Sequence, residues 1–130
     1  MDQPESIDQL LERARSFIDR LTPSEALTAQ GAGALVVDIR PDAQRRRDGA
    51  LAGALVIDRN VLEWRLAPTS NWRIPEMSDA SRQVVLICNQ GFQSSLAACT
   101  LRQLGLPNVA DVIGGFEAWL EAGLPIVQSA

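Results

Sequence analysis

The sequence predicts one α/β domain with a mainly parallel central sheet flanked by helices, and an extra helix at the N-terminus. Short apolar runs alternate along the chain with segments of helical periodicity, which is typical of parallel strands joined by crossover helices. The chain has 130 residues, of which 46% are hydrophobic and 22% charged. This length and composition suit a single domain with a substantial core.

The first part of the chain carries helix signals. Apolar residues recur with one-sided helical spacing over residues 6–21, with Ser6 as a candidate N-cap. A capping box at residues 22–25, with Pro23 at the first helical position, predicts a second helix that ends near Gly31. We therefore predict an N-terminal helical extension over residues 1–21 and a main domain over residues 22–130.

The rest of the chain alternates between strands and helices. Short apolar runs predict strands over residues 34–39, 54–57, 83–87 and 109–113. Intervening patterns predict helices over residues 60–66, 94–104 and 115–122, and a short helix or turn over residues 41–48. The Pro-, Ser- and Asn-rich stretch 67–82 is predicted to be a long surface loop.

The residue types that the sequence lacks exclude several kinds of catalytic site. The chain contains no histidine, which excludes Ser-His-Asp triads and Cys-His dyads. With two cysteines and no histidine, a metal site is not expected, and no organic cofactor is implied. All twelve cationic residues are arginines, so Schiff-base chemistry on lysine is excluded as well. Thiols, carboxylates, guanidinium groups and backbone amides remain as candidates.

Charge and hydropathy limit the partners. The formal net charge is −4, which argues against a general nucleic-acid partner. No apolar run approaches the ~20 residues that a membrane helix needs. The acidic, polar start "MDQPESIDQLLERARS" does not resemble a signal peptide. We expect a cytoplasmic protein without a membrane partner.

The stretch "VVLICNQGFQSS" places Cys88 at the end of an apolar strand, before a short loop and a helix. Ligands of open α/β sheets bind beyond the carboxyl ends of the strands. Helix N-termini favour negative charge, and they lower the pKa of cysteine thiols from about 8.5. Gly91 lets the loop curl so that its amides approach the sulfur. A buried packing thiol is the simpler alternative, but it would not need this loop.

These residues resemble the active-site loop of rhodanese-like domains, whose pattern is Cys-x-x-Gly-x-Arg-Ser/Thr. Here the loop reads Cys88, Asn89, Gln90, Gly91, Phe92, Gln93 and Ser94. "VVDIRPDAQRRRDGALAGALVID" is similar to the family's strand with Asp-x-Arg and the segment after it. "VIGGFEAWLEAGLPI" is similar to its Gly-Gly-x-x-Ala-Trp and Ala-Gly-Leu-Pro stretch. The resemblance covers residues 22–127, roughly four-fifths of the chain.

The resemblance implies a sulfurtransferase that works through a cysteine persulfide. Cys88 would be the nucleophile, residues 89–94 would bind the anion, and Asp38 and Arg40 would support the site. The partners would be a small sulfur donor such as thiosulfate and a thiol or cyanide-like acceptor, with a homodimer as an additional expectation. Related dual-specificity phosphatases have a loop one residue longer that ends in arginine, so a phosphatase or arsenate reductase is disfavoured.

Several alternatives stay open at this point. Gln93 stands where the family often has arginine, so anion binding and activity are expected to be reduced, and a weak or inactive binding or regulatory module is the rival function. The arginines at 45–47, or Arg73, are candidates for the missing charge. Asp38 and Arg40 form either a structural ion pair or a support for the loop. For Cys99, a core or groove position is favoured over a resolving role.

Overall fold

The computed structural model describes residues 3–128, which form helices and strands in alternation. The helices are α1 (Ile7–Arg15), α2 (Pro23–Gly31), α3 (Asp42–Asp48), α4 (Leu62–Leu66), α5 (Gln93–Gln103) and α6 (Gly115–Glu121). The strands are β1 (Asp19–Leu21), β2 (Leu35–Asp38), β3 (Leu55–Val56), β4 (Val84–Ile87) and β5 (Val109–Val112). Short 3-10 helices lie at Arg59–Val61 and Pro75–Met77.

All five strands run parallel, in the order β1-β5-β4-β2-β3. The central strand β4 pairs with β2 from Leu35↔Val84 to Asp38↔Ile87, and with β5 on its other side. This arrangement confirms the predicted α/β class with a parallel sheet. Because parallel strands end at the same edge, the segments after β2, β4 and β5 come together there.

Alternate residues of the central strands pack on opposite faces of the sheet. On one face, Val84 and Leu86 belong to a core that includes residues of α4 and α5. On the other face, Val85 and Ile87 pack in a core with α2 and α6. The side chain of Cys88 continues the first of these faces. Burial on both sides explains why β4 reads as a continuous apolar run instead of an alternating one.

The N-terminal segment differs from the prediction of one helix over residues 6–21. Helix α1 ends at Arg15, and Asp19–Leu21 form the edge strand β1 beside β5. The backbone N–H of Ile113 donates to the carbonyl of Leu21 at 2.8 Å. The strand β1 pairs with backbone groups along the edge of β5 that a longer helix α1 would leave unpaired, so tertiary context overrides the local periodicity. The division into residues 1–21 and 22–130 stays a prediction.

The other elements match their predicted positions closely. Both predicted N-caps form complete capping boxes, Ser6 with Gln9 and Thr22 with Glu25. The stretch 67–82 is irregular apart from one 3-10 turn. None of the helices within residues 3–128 is long and apolar enough to cross a membrane.

Candidate active site

Cys88 directly follows β4, and its buried sulfur lies at the N-terminus of α5. The Sγ atom accepts hydrogen bonds from the backbone N–H of Gly91 at 3.1 Å and of Ser94 at 3.4 Å. The side chain of the N-cap residue, Phe92, makes no capping hydrogen bond, so the cysteine sulfur takes the place of a cap for α5. Within residues 3–128, the backbone N–H groups of Phe92 and Gln93 have no hydrogen-bond acceptor. The loop therefore offers backbone donors to an anion beside the sulfur.

The loop is pressed against the turn between β5 and α6. Gly91 has φ of +83°, and a Cβ atom there would lie 2.8 Å from the backbone nitrogen of Gly114. From the start of α6, the N–H of Phe116 donates to the Cys88 carbonyl at 2.8 Å, and that of Glu117 to the Asn89 carbonyl at 3.1 Å. The N-terminus of α6 thus fixes the backbone of the residues that carry the sulfur.

Buried serines connect the loop to Asp111 of β5. Ser94 Oγ lies 3.3 Å from Cys88 Sγ and donates to Asp111 Oδ2 at 2.8 Å. Ser95 Oγ lies 2.6 Å from the same carboxylate oxygen. A serine hydroxyl has a single hydrogen, so Ser94 can donate to the carboxylate or to a thiolate, but not to both. Ser95 keeps the carboxylate bonded in either case.

Arginines from the N-terminal segment complete this network. Arg20 Nε donates to Asp111 Oδ1 at 2.9 Å, and Arg20 Nη2 to the Gly91 carbonyl at 3.3 Å. Arg15 Nη2 donates to the same carbonyl at 2.8 Å. Burial lowers the pKa of Arg15, as does the nearby Arg20, while Asp111 and Cys88 act in the opposite direction. An arginine still carries its charge under these conditions.

A pocket of about 300 Å³ opens at Cys88. The loop contributes Cys88, Asn89, Gln90, Phe92 and Gln93 to its lining, and Ile39, Arg40, Pro41, Gln44 and Arg59 complete it. Asp38, Gly91 and Ser94 from the predicted site are not part of the lining and lie behind it. The predicted thiol thus faces a space large enough for a small anion.

Arg59 places a guanidinium in the lining of the pocket, where Glu63 balances its charge, and the sequence did not reveal this residue. Its Nη1 bonds both carboxylate oxygens of Glu63 at 2.8 Å, and its Nε lies 3.4 Å from Gln93 Oε1. The arginines predicted as substitutes are placed elsewhere. Arg45 is buried against the Arg40 carbonyl and Asp42, and Arg73 bonds the carbonyl of Pro68. The exposed residues 46 and 47 are also absent from the lining.

Asp38 and Arg40 form a buried ion pair, and Arg40 also lines the pocket. Arg40 Nη2 lies 2.8 Å from Asp38 Oδ2 and 2.9 Å from the Gly49 carbonyl. Its guanidinium lies 3.7 Å from the centre of the Phe116 ring, a cation–π contact with α6. Both open readings of the pair therefore have a structural basis, because the pair is buried and also contacts the helix that supports the loop.

Sequence reasoning missed the partners that lie far away along the chain. Arg15, Arg20, Arg59 and Asp111 carry no local motif, and only their proximity in the fold reveals them. The predicted core position of Cys99 agrees with its burial in α5, and both cysteines are free. Within residues 3–128 there is no cluster of metal-ligating side chains.

Comparison with known proteins assigns the family. The model of the rhodanese-like domain matches residues 22–122, more than half of the chain. The chain belongs to the rhodanese-like domain family. A curated relative, the thiosulfate sulfurtransferase GlpE of Pseudomonas entomophila, is 32% identical over 80% of this chain and 86% of its own length. A sulfurtransferase of Allochromatium vinosum is 36% identical over 72% of this chain and 78% of its own.

Solved structures show the same rhodanese-like architecture. A Rhodopseudomonas palustris protein of unknown function, described as a possible tyrosine phosphatase, superposes with a TM-score of 0.85 and 35% identity. It covers 97% of this chain and 98% of its own, so the likeness extends beyond the family match at 22–122. The polysulfide-sulfur transferase homodimer of Wolinella succinogenes has a TM-score of 0.72 and 25% identity, over 93% and 86% of the two chains. The curated relatives and the Wolinella succinogenes homologue support a sulfurtransferase function for the chain.

Proposed function

We propose that this protein transfers sulfane sulfur through a persulfide on Cys88. The proposal is carried by the position of Cys88 Sγ. This atom accepts hydrogen bonds from the backbone N–H groups of Gly91 and Ser94 at the start of α5, and it faces an open pocket. An anionic sulfur in this position is stabilised by amide dipoles and the helix terminus without a histidine. The names of the curated relatives agree with this chemistry.

The reaction consists of two displacements at sulfur. The Cys88 thiolate attacks the outer sulfur of thiosulfate, a new S–S bond forms, and sulfite leaves with the electron pair of the broken bond. A thiophilic acceptor such as cyanide then attacks the outer sulfur of the persulfide. Thiocyanate forms, and the thiolate is regenerated. The amides of Phe92 and Gln93 are the donors proposed to bind the charged outer sulfur.

The proposed roles of the remaining site residues follow from their positions. Asn89, Gln90, Phe92 and Gln93 line the pocket and would contact the donor anion. Gly91 and Ser94 would hold the sulfur from behind through their amides. Asp38 and Arg40 would keep the end of β2 in place against α6. A homodimer and a cytoplasmic location stay predictions.

Thiosulfate tests the proposal directly. The protein incubated with thiosulfate is expected to gain about 32 Da, the mass of one sulfur atom, and to release thiocyanate when cyanide is added. Cys88→Ser should lose both signals, while Cys99→Ser should keep them because Cys99 lies within α5 and outside the pocket lining. A folded protein with neither adduct nor turnover would instead support the binding or regulatory module.

A phosphatase is the second activity to include in the assay. The Rhodopseudomonas palustris neighbour is described as a possible tyrosine phosphatase. In this chain, the loop has Gln93 at the position where a phosphatase would use arginine to clamp the phosphoryl oxygens. We therefore expect no hydrolysis of p-nitrophenyl phosphate at enzyme concentrations that give clear thiocyanate release, and the reverse result would overturn the proposal.

Charge at the pocket should govern the use of thiosulfate. Arg59→Gln is expected to lower kcat/KM for thiosulfate by about tenfold, because a charge-assisted hydrogen bond to the donor is lost. Adding Gln93→Arg to that variant returns a guanidinium next to the same space and should recover most of the loss. Arg65→Gln, whose guanidinium bonds the Trp72 carbonyl instead, is the control. Equal rates for all of these variants would exclude a role for Arg59 in donor binding.

A further inference from the structure

The N-terminal segment, residues 3–21, contacts the Cys88 loop through Arg15 and Arg20. This segment lies outside the family match at residues 22–122. Helix α1 packs along α5, and β1 is the neighbour of β5 in the sheet. Arg15 is the last residue of α1 and Arg20 is the middle residue of β1. Both guanidinium groups meet at one atom, the carbonyl oxygen of Gly91.

Gly91 links the two arginines to the sulfur, because its carbonyl bonds the arginines and its N–H bonds Cys88 Sγ. The N–H of Gly91 donates to Cys88 Sγ at 3.1 Å, and its carbonyl accepts from Arg15 at 2.8 Å and from Arg20 at 3.3 Å. Donors on a carbonyl oxygen polarise its peptide group and strengthen the N–H of the next residue as a donor. That next N–H belongs to Phe92, one of the amides proposed to bind the outer sulfur.

The charges beneath the loop do not cancel. Asp111 is fully buried and pairs with Arg20 at 2.9 Å. Arg15 donates only to neutral acceptors, Ser95 Oγ at 3.0 Å and the Gly91 carbonyl, and within residues 3–128 it forms no ion pair. Two arginines and one aspartate leave one net positive charge behind the sulfur. In a partly buried site, such a charge acts on an anion over several ångströms.

We propose that Arg15, together with Arg20, positions the Cys88 loop from below and supplies the positive charge that Gln93 does not provide. The loop from Cys88 to Ser94 contains no arginine, and the two guanidinium groups approach it instead from the N-terminal segment, at the Gly91 carbonyl. Arg15 is a positioning residue, since it acts on the sulfur and its anionic substrate through the loop. The proposal extends the sulfurtransferase function, but its test requires only that Cys88 can be alkylated.

Paired alkylating reagents separate the effect of charge from that of structure. Iodoacetate and iodoacetamide both form an S–C bond with the thiolate and release iodide, but only iodoacetate is an anion. The ratio of their rate constants at Cys88 therefore reports the electrostatic potential and is independent of the fraction of thiolate. In a Cys99→Ser background, so that Cys88 alone reports, Arg15→Gln is expected to lower this ratio about three- to tenfold at low ionic strength.

Matched variants make the result decisive. Arg13→Gln removes the same charge from the same helix, but Arg13 is exposed and pairs with Glu5 at 2.7 Å, so the ratio should stay unchanged. Arg15→Lys keeps the charge and should retain most of the wild-type ratio. Thermal unfolding checks that each variant is folded. An unchanged ratio in folded Arg15→Gln, or an equal fall in Arg13→Gln, would overturn the proposal, whether or not the protein transfers sulfur.

Discussion

Asp111→Ala is expected to lower the free energy of unfolding by about 3 kcal/mol, because the buried carboxylate is the acceptor of an ion-pair network. The carboxylate has no exposed surface and bonds Arg20, Ser94 and Ser95. Its removal leaves the partly buried Arg20 guanidinium without its ion-pair partner and the buried Ser94 hydroxyl without its acceptor. Urea unfolding followed by circular dichroism measures the change.

Asp48→Ala is the control for this prediction. Asp48 also pairs with an arginine, Arg47, at 2.8 Å, but that guanidinium is largely exposed. Water replaces the lost partner there, so the unfolding midpoint should hardly move. Asp111→Asn keeps the size of the side chain and some of its acceptors, and should fall between the wild type and Asp111→Ala. If the two alanine variants unfold alike, the network around Asp111 does not stabilise the fold.

Gly115→Ala should reduce the rate of sulfur transfer at least tenfold, because the backbone of the Cys88 loop has to move. A Cβ atom at this position would lie 2.5 Å from the Cys88 carbonyl oxygen and 2.7 Å from the carbonyl carbon of Asn89. Both atoms belong to backbone, which cannot rotate away as a flexible side chain would. Displacing them changes the direction of the amides around the sulfur, and misplacement of this kind is costly in catalysis.

Gly123→Ala separates this clash from the effect of backbone conformation. Gly123 has φ of +70°, close to the +62° of Gly115, but a Cβ atom there would meet no other part of the structure within 4 Å. Both variants carry the strain of placing alanine at positive φ, about 1 kcal/mol or more. Only Gly115→Ala should show a large loss of thiocyanate release, because only there does the added methyl group displace the Cys88 loop. Similar losses in both variants would show that strain alone, and not contact with the loop, determines activity.

Local patterns were sufficient to predict the centre of this molecule. The apolar run before Cys88, the glycine three residues later and the helix that follows are adjacent in the chain, so their geometry is encoded within about ten residues. The family resemblance was also carried by contiguous motifs. For these reasons the parallel sheet and the position of the thiol at its carboxyl edge were both predicted correctly.

The surroundings of the thiol depend on contacts that no local pattern encodes. Arg20 and Asp111 are separated by 91 positions and Arg15 and Gly91 by 76, so only the fold brings them together. The predicted helix over residues 6–21 was too long for the same reason. The apolar residues near its end fit the period of a helix as well as that of a strand. Pairing with the edge of β5 stabilises the strand.

The way in which α6 and the N-terminal segment both support the Cys88 loop has a consequence for how the protein is made. Arg15 is synthesised long before the loop, and the N–H groups of Phe116 and Glu117 only after it. Contacts between distant parts of a chain form late, since the entropy of closing long loops must first be overcome. A nascent or partly folded chain therefore lacks the contacts that surround the Cys88 loop in the fold. The arrangement to which we assign sulfur transfer is complete only in the folded protein.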